Sequence, residues 1–183
     1  MATKHFLTWV ERKGGSLRRY MSLSPYEILD PFALAVKMSV RVLSLQAIPC
    51  IPQSIIDQLL FRDHSAWSAG CLKLAQGTAI IVYNPTHAIT RQRATIMEEL
   101  AHLHLRHDGS KLVSTRRNNG FRSYNKSEET QAYFVGAAAL LPIDVLKKAR
   151  SNHVSRMSLA NEYIVSTALV QFRENITKVR LKS

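Results

Sequence analysis

Thr95-Ile96-Met97-Glu98-Glu99-Leu100-Ala101-His102 is the stretch on which the reading of this 183-residue chain turns. Met97, Leu100, Ala101 and Leu103 recur at helical spacing, so the segment predicts a helix from a Thr90 cap to about His107 with an apolar face turned inward. Positions i and i+4 lie one turn apart on the same face of a helix. Glu98 and His102 can therefore direct a carboxylate and an imidazole at one cation. Glu99 lies beside them, where a general base toward an activated water belongs. A third protein ligand has to come from elsewhere, and Glu129, near the start of a later helix, is placed for it. Taken alone, two acids and a histidine at this spacing also occur on any solvated helix, so the surroundings have to decide.

Upstream, Ser68–Ala75 and Thr78–Tyr83 read as two strands joined by a turn at Gln76-Gly77, and Asn84-Pro85 ends the second. Thr78–Tyr83 is a candidate edge strand for pairing with an extended peptide; an ordinary hairpin strand is the plainer reading. Downstream, a polar loop spans 108–126. A helix follows over 128–141, with Ser127 as its cap and Pro142 as its stop. Val40, Val42 and Leu43 suggest a further strand, and 54–61 a helical face. Ser24-Pro25-Tyr26-Glu27 and Asp30-Pro31 carry helix-start signals. Residues 1–23 mix aromatic and basic residues around Gly14-Gly15 and read as a loosely held basic arm.

These surroundings resemble the ImmA/IrrE family of bacterial metallopeptidases over about residues 30–175. Trp67-Ser68-Ala69-Gly70 resembles the family's lead into its hairpin. The family's strand of the type Ile-Ile-Val-x-Asn-Pro appears as Ile80-Ile81-Val82-Tyr83-Asn84-Pro85. Its Arg-x-Arg segment appears as Arg91-Gln92-Arg93, and its zinc helix as Glu98–His102. The helix bearing its third ligand and ending in Leu-x-Pro appears as Glu129-Thr130-Gln131-Ala132-Tyr133-Phe134 and Leu140-Leu141-Pro142. The resemblance implies an α+β zincin-like domain over 24–142, with a small antiparallel or mixed sheet and a metal-bearing helix. A helical extension over 143–183 would pack on it. It implies Zn2+ held by Glu98, His102 and Glu129, Glu99 as the catalytic base, and a helix-turn-helix repressor as protein substrate, cut to release stress or mobile-element genes. Tyr133 could then offer its hydroxyl to a developing oxyanion, or simply pack.

One departure stands inside the motif: the His-Glu-x-x-His of the family reads Glu-Glu-x-x-His here. Two carboxylates and a neutral imidazole cancel a +2 charge, whereas two imidazoles and one carboxylate leave about +1. The cation then polarises water and a peptide carbonyl less, and harder ligation also admits Mn2+ or another divalent ion. Two readings stay open: an endopeptidase, or a catalytically weak or inactive peptidase fold serving as a regulatory protein- or DNA-binding module. Neither neighbouring histidine replaces the missing one by simple spacing. His104 projects to the far side of the helix, and His107 could turn back only if the helix unwinds before it.

Composition sets the frame. The chain is 46% apolar and 21% charged, ordinary for a globular core. No apolar run suits a bilayer, the first 25 residues lack a signal-peptide pattern, and two cysteines, Cys50 and Cys71, form no disulfide framework. A cytoplasmic protein is the expectation. The net charge is +12, and segments 1–19, 103–126 and 171–183 hold the whole excess. Such localisation fits an acidic partner, nucleic acid or protein, as well as solvated loops. Residues 158–175 have a helix-turn-helix rhythm, with Ser166 as a cap and Gln171 and Arg173 on an exposed face, although packing on the domain explains them as well. Arg91 and Arg93 can pair with acids of the metal helix or with structural partners. Cys71 reads as core, and His5, His64, His87 and His153 show no metal spacing.

Overall fold

From its first turns the chain departs from the loose arm expected over 1–23. Lys4–Tyr20 forms a 17-residue helix, α1, whose Thr3 cap accepts a hydrogen bond from the Phe6 N–H at 3.2 Å. Val10, Gly14, Leu17 and Arg18 follow helical spacing and are buried. That face was hidden in the sequence because a glycine and an arginine occupy half of it. A computed structural model describes residues 3–49, 51–63, 67–73, 78–107 and 125–181, together with the backbone of 112–115 and 118–122.

Helix α2, Pro31–Lys37, starts as its signal predicts, with Asp30 capping and Pro31 in the first turn. The Ser24–Glu27 signal does not propagate a helix. Its reverse half forms, the Ser24 N–H donating to Glu27 Oε2 at 2.7 Å, but the Arg18 guanidinium takes the carbonyls of Ser24 and Glu27. Strand β1, Val40–Ser44, leads through a 3-10 turn, Leu45–Ala47, to α3, Gln53–Asp57, which runs on as a π-helical turn, Gln58–Arg62. Strands β2, Ala69–Lys73, and β3, Ala79–Tyr83, pair antiparallel from Ala69 opposite Tyr83 to Lys73 opposite Ala79. The turn at Gln76-Gly77, like Cys50 and His64, lies outside the described residues.

The sheet order is β1-β3-β2, with β1 and β3 parallel from Val40 opposite Ala79 to Ser44 opposite Tyr83. This overturns the edge-strand expectation for Thr78–Tyr83. β3 is the central strand, bonded on both sides, and its Ile81 is fully buried. A two-residue-period pattern reveals a strand but not its place in the sheet.

Helix α4 spans Ile89–Leu105. Ala88, not Thr90, is its cap residue, and the Gln92 amide donates to the carbonyls of Pro85 and His87 just before it. The expected loop over 108–126 contains a hairpin instead: β4, Leu112–Thr115, pairs antiparallel with β5, Asn118–Arg122. Helix α5, Lys126–Leu140, is capped by Asn125, whose side chain accepts from the N–H groups of Ser127 and Glu128, so Ser127 lies inside the helix. Helices α6, Ile143–Ser151, α7, Arg156–Tyr163, and α8, Thr167–Thr177, complete the chain. Ser166 caps α8 as expected. The whole is α+β, with a small mixed sheet on one side of a helical core.

Helix α5 sits at the centre, between α1 and α4, and is buried from Val135 through Leu140. Two glycines permit the close approach. A Cβ on Gly14 would lie 2.9 Å from the Ala138 Cβ, and one on Gly136 would lie 3.3 Å from the Met97 carbonyl oxygen. The second contact brings the α4 and α5 backbones together immediately before Glu98.

Candidate metal centre

The α4–α5 seam turns a sequence spacing into a three-dimensional cluster. Ile96, Met97, Leu100 and Ala101 anchor α4 in the core with no exposed surface. That rotation leaves Glu98 and His102 half-buried on the flank next to α5, and it sends His104 the other way, 2.8 Å from the Ser16 hydroxyl on α1. Glu99 lies toward β2, where its charge reaches Cys71. Helix α5 brings Glu129 in its first turn, where a carboxylate is favoured by the positive end of the helix dipole. Because Gly136 lets α5 run tightly along α4, Glu129 arrives opposite His102.

One ligand atom from each of Glu98, His102 and Glu129 falls within 4.8 Å of the other two. His102 Nε2 stands 3.5 Å from Glu129 Oε2. The donor set, two carboxylates and an imidazole, fits a divalent cation of the zinc or manganese type. Its electrostatics point the same way. The Glu98 carboxyl is pushed up to about 7, first by burial and then by the charges of Glu99 and Glu129. Burial also holds His102 below the usual imidazole range, outweighing the attraction of Glu129 and keeping the ring neutral, the form that ligates. The cluster therefore carries crowded negative charge at a place where a cation would relieve it.

Tyr133 lies one turn beyond Glu129 on α5, is 38% exposed, and rests edge-on against Phe172 of α8, ring centroids 4.8 Å apart. Its phenol titrates above the ordinary range because of burial and the Glu98 charge, so the hydroxyl keeps its proton on the side of the cluster. Cys71 is pushed up to about 11 by burial and by Glu99, which makes it a protonated, packed thiol rather than a nucleophile.

Other candidates find structural partners. Arg93 is buried and donates to the carbonyls of Ile164 at 3.1 Å and Leu29 at 2.7 Å, with Asp30 Oδ1 at 3.4 Å, so it braces the start of α4 and not its acids. Arg91 reaches the Ser68 hydroxyl at 2.8 Å. Arg173, expected on an exposed face of α8, has no exposed surface; it donates to Glu11 at 2.5 Å and to the Leu141 carbonyl at 2.9 Å. The packing account of residues 158–175 is the one the geometry carries.

His107 turns back toward His102, which its spacing allowed only where the helix ends before it. Arg106 adopts the left-handed conformation, φ 58° and ψ 36°, and reverses the chain so that His107 folds back on His102. The spacing of five was visible, but a left-handed turn at a non-glycine residue was not. Lys73 of β2 fixes the turn by donating to the His107 carbonyl.

No helix among the described residues is long and apolar enough to cross a membrane. No curated protein matches the chain. Residues 51–175 match the Peptidase M78 family, described as the IrrE N-terminal-like domain, a span that includes the sheet edge, α4 and α5. With two helices delivering a Glu-His-Glu cluster inside that span, the chain belongs to this metal-dependent peptidase family.

Proposed function

We propose that the protein is a metal-dependent endopeptidase in which Glu98, His102 and Glu129 hold the cation and Glu99 is the catalytic base. The observation that carries this reading is the convergence of those three ligand atoms within 4.8 Å, from two helices, in a chain of the M78 family. A divalent cation there, zinc or manganese, supplies Lewis-acid polarisation of the scissile carbonyl. Glu99 takes a proton from the attacking water and returns it to the leaving amine. Tyr133 donates its hydroxyl to the oxygen that gains charge. The outer edge of β2, which pairs only with β3 among the described residues, takes the place of β3 as the strand for an extended peptide. By resemblance to the ImmA/IrrE type, the substrate is a helix-turn-helix transcriptional repressor in a cytoplasmic stress response.

Glu98 supports a second reading. In place of the family's histidine it neutralises the cation's charge, which favours a regulatory binding module that has lost hydrolysis. Its acidic partner, protein or nucleic acid, would meet the basic segments.

Metal analysis of the purified protein and a cleavage assay on a candidate repressor separate the two. Glu99→Gln should keep its metal and lose roughly 10²–10⁴-fold in cleavage rate. Unchanged cleavage by that variant removes the catalytic assignment. A wild-type protein that is inert while Glu98→His cleaves would establish the regulatory reading. DNA affinity falling steeply with salt would identify its partner as nucleic acid.

A further inference from the structure

His107 is buried, although it lies outside the helix that carries the metal cluster. The left-handed turn at Arg106 lets the His107 N–H donate to the His102 carbonyl at 3.0 Å and sets the two imidazoles edge to face, centroids 5.0 Å apart at 75°. His107 Nδ1 meets His102 Nδ1 at 3.0 Å. The other ring nitrogen, Nε2, lies 3.3 Å from Gln131 Oε1, and the Gln131 amide nitrogen lies 3.3 Å from the Ser127 hydroxyl. Gln131 shares α5 with Glu129, so one helix reaches both rings.

Proton placement orders these contacts. His102 turns Nε2 toward Glu129, and a ring that offers the Nε2 lone pair to a cation must carry its proton on Nδ1. That N–H can only donate to His107 Nδ1, which fixes the proton of His107 on Nε2, where it donates to the Gln131 carbonyl oxygen. The Gln131 amide nitrogen then donates to Ser127. Every donor in the chain faces an acceptor. In the opposite arrangement, His102 would point an Nε2–H at Glu129 and have no lone pair for a cation, and the Gln131 amide would have to turn over to meet an unprotonated His107 Nε2.

We propose that His107 and Gln131 are positioning residues that hold His102 in the Nδ1–H tautomer, and that His107 is not itself a ligand. The inference rests on the metal reading given above. Outer partners of this kind orient an imidazole and typically change metal affinity about 10–100-fold when removed.

The test uses the full-length protein labelled with ¹⁵N-histidine in mildly alkaline buffer, with imidazole nitrogen spectra and calorimetric Zn2+ titration. In the metal-free wild type, His102 should show a protonated Nδ1. His107→Phe should lose that signature and bind Zn2+ about 10–100-fold more weakly. His107→Gln, which again presents an acceptor, should recover much of the affinity. If His107→Phe does not fold, Gln131→Met, on the helix surface, should shift the same equilibrium. X-ray absorption of the zinc-loaded protein should count one imidazole. Two imidazoles, a protonated His102 Nε2 in the metal-free protein, or Zn2+ affinity untouched by His107→Phe would overturn the proposal while leaving the metal reading standing. A protonated Nδ1 in a wild type that takes up no Zn2+ would count against the metal reading alone.

Discussion

The two ends of α5 solve opposite electrostatic problems. At the C-terminal end, unpaired helix carbonyls meet buried arginines: Arg18 donates to Ala139 at 2.7 Å, and Arg173 donates to Leu141 while pairing with Glu11. At the N-terminal end, Glu129 stands with Glu98 around His102, and Arg93, the buried arginine of α4, turns instead to the carbonyls of Leu29 and Ile164. The contrast is informative because this protein has cations to spare, +12 in net charge. Resident arginines neutralise the end that must be rigid. The other end keeps its carboxylates clustered around an imidazole, as a cation-binding site requires.

The largest expected effect lies at the arginine end. Glu11→Ala leaves Arg173 buried without its counter-charge and should cost about 3–5 kcal/mol in urea unfolding. Added zinc should not restore that loss beyond the mass-action gain seen in the wild type. At the acidic end the sign reverses. The folded Glu98 carboxyl keeps a proton up to about pH 7, whereas the unfolded one loses it near 4.5. The native state therefore binds more protons between those values, and stability of the metal-free protein should fall as pH rises through the window, by up to roughly 3 kcal/mol. Glu98→Gln should flatten the profile, and saturating zinc should invert it. A profile that rises with pH without metal would contradict the crowding described for Glu98.

The two glycine contacts sharpen the comparison. Gly14→Val and Gly136→Val should each cost about 1–3 kcal/mol by overpacking, with Gly14 the tighter position. Only Gly136→Val should also weaken zinc binding, because it moves Glu129 away from His102. Equal zinc affinity in both variants would uncouple the seam from the site. The smallest stability change belongs to Tyr133→Phe, within about 0.5 kcal/mol, since the ring can stay against Phe172. With the role proposed for its hydroxyl, the same change should nevertheless lower the cleavage rate by about 10²–10³-fold.

What could be read in the sequence follows from the range of each interaction. Glu98 and His102 are a local pair, fixed by helical geometry, and the Asp30-Pro31 and Ser166 starts are local as well. Glu129 was legible through the family pattern of its helix, not through spacing. α1 was missed because Gly14 reads as a breaker, whereas its role is set by Ala138, far along the chain. The central place of β3 depends on parallel pairing with β1, which leaves no alternating mark on Ala79–Tyr83 itself. Arg173 looked like a surface cation because its partner, Glu11, is 162 positions away.

That same separation has a bearing on how the protein is made. The Arg18 contact with Ala139 joins residues 121 positions apart, and the Glu11 contact with Arg173 spans more. On the ribosome, α1 emerges long before α5, against which most of its buried face packs, and before α8. Meanwhile Val10 and Leu17, fully covered at the end, are open to water. A nascent chain halted before residue 140 should therefore be a client for chaperones, and one released after α8 should not.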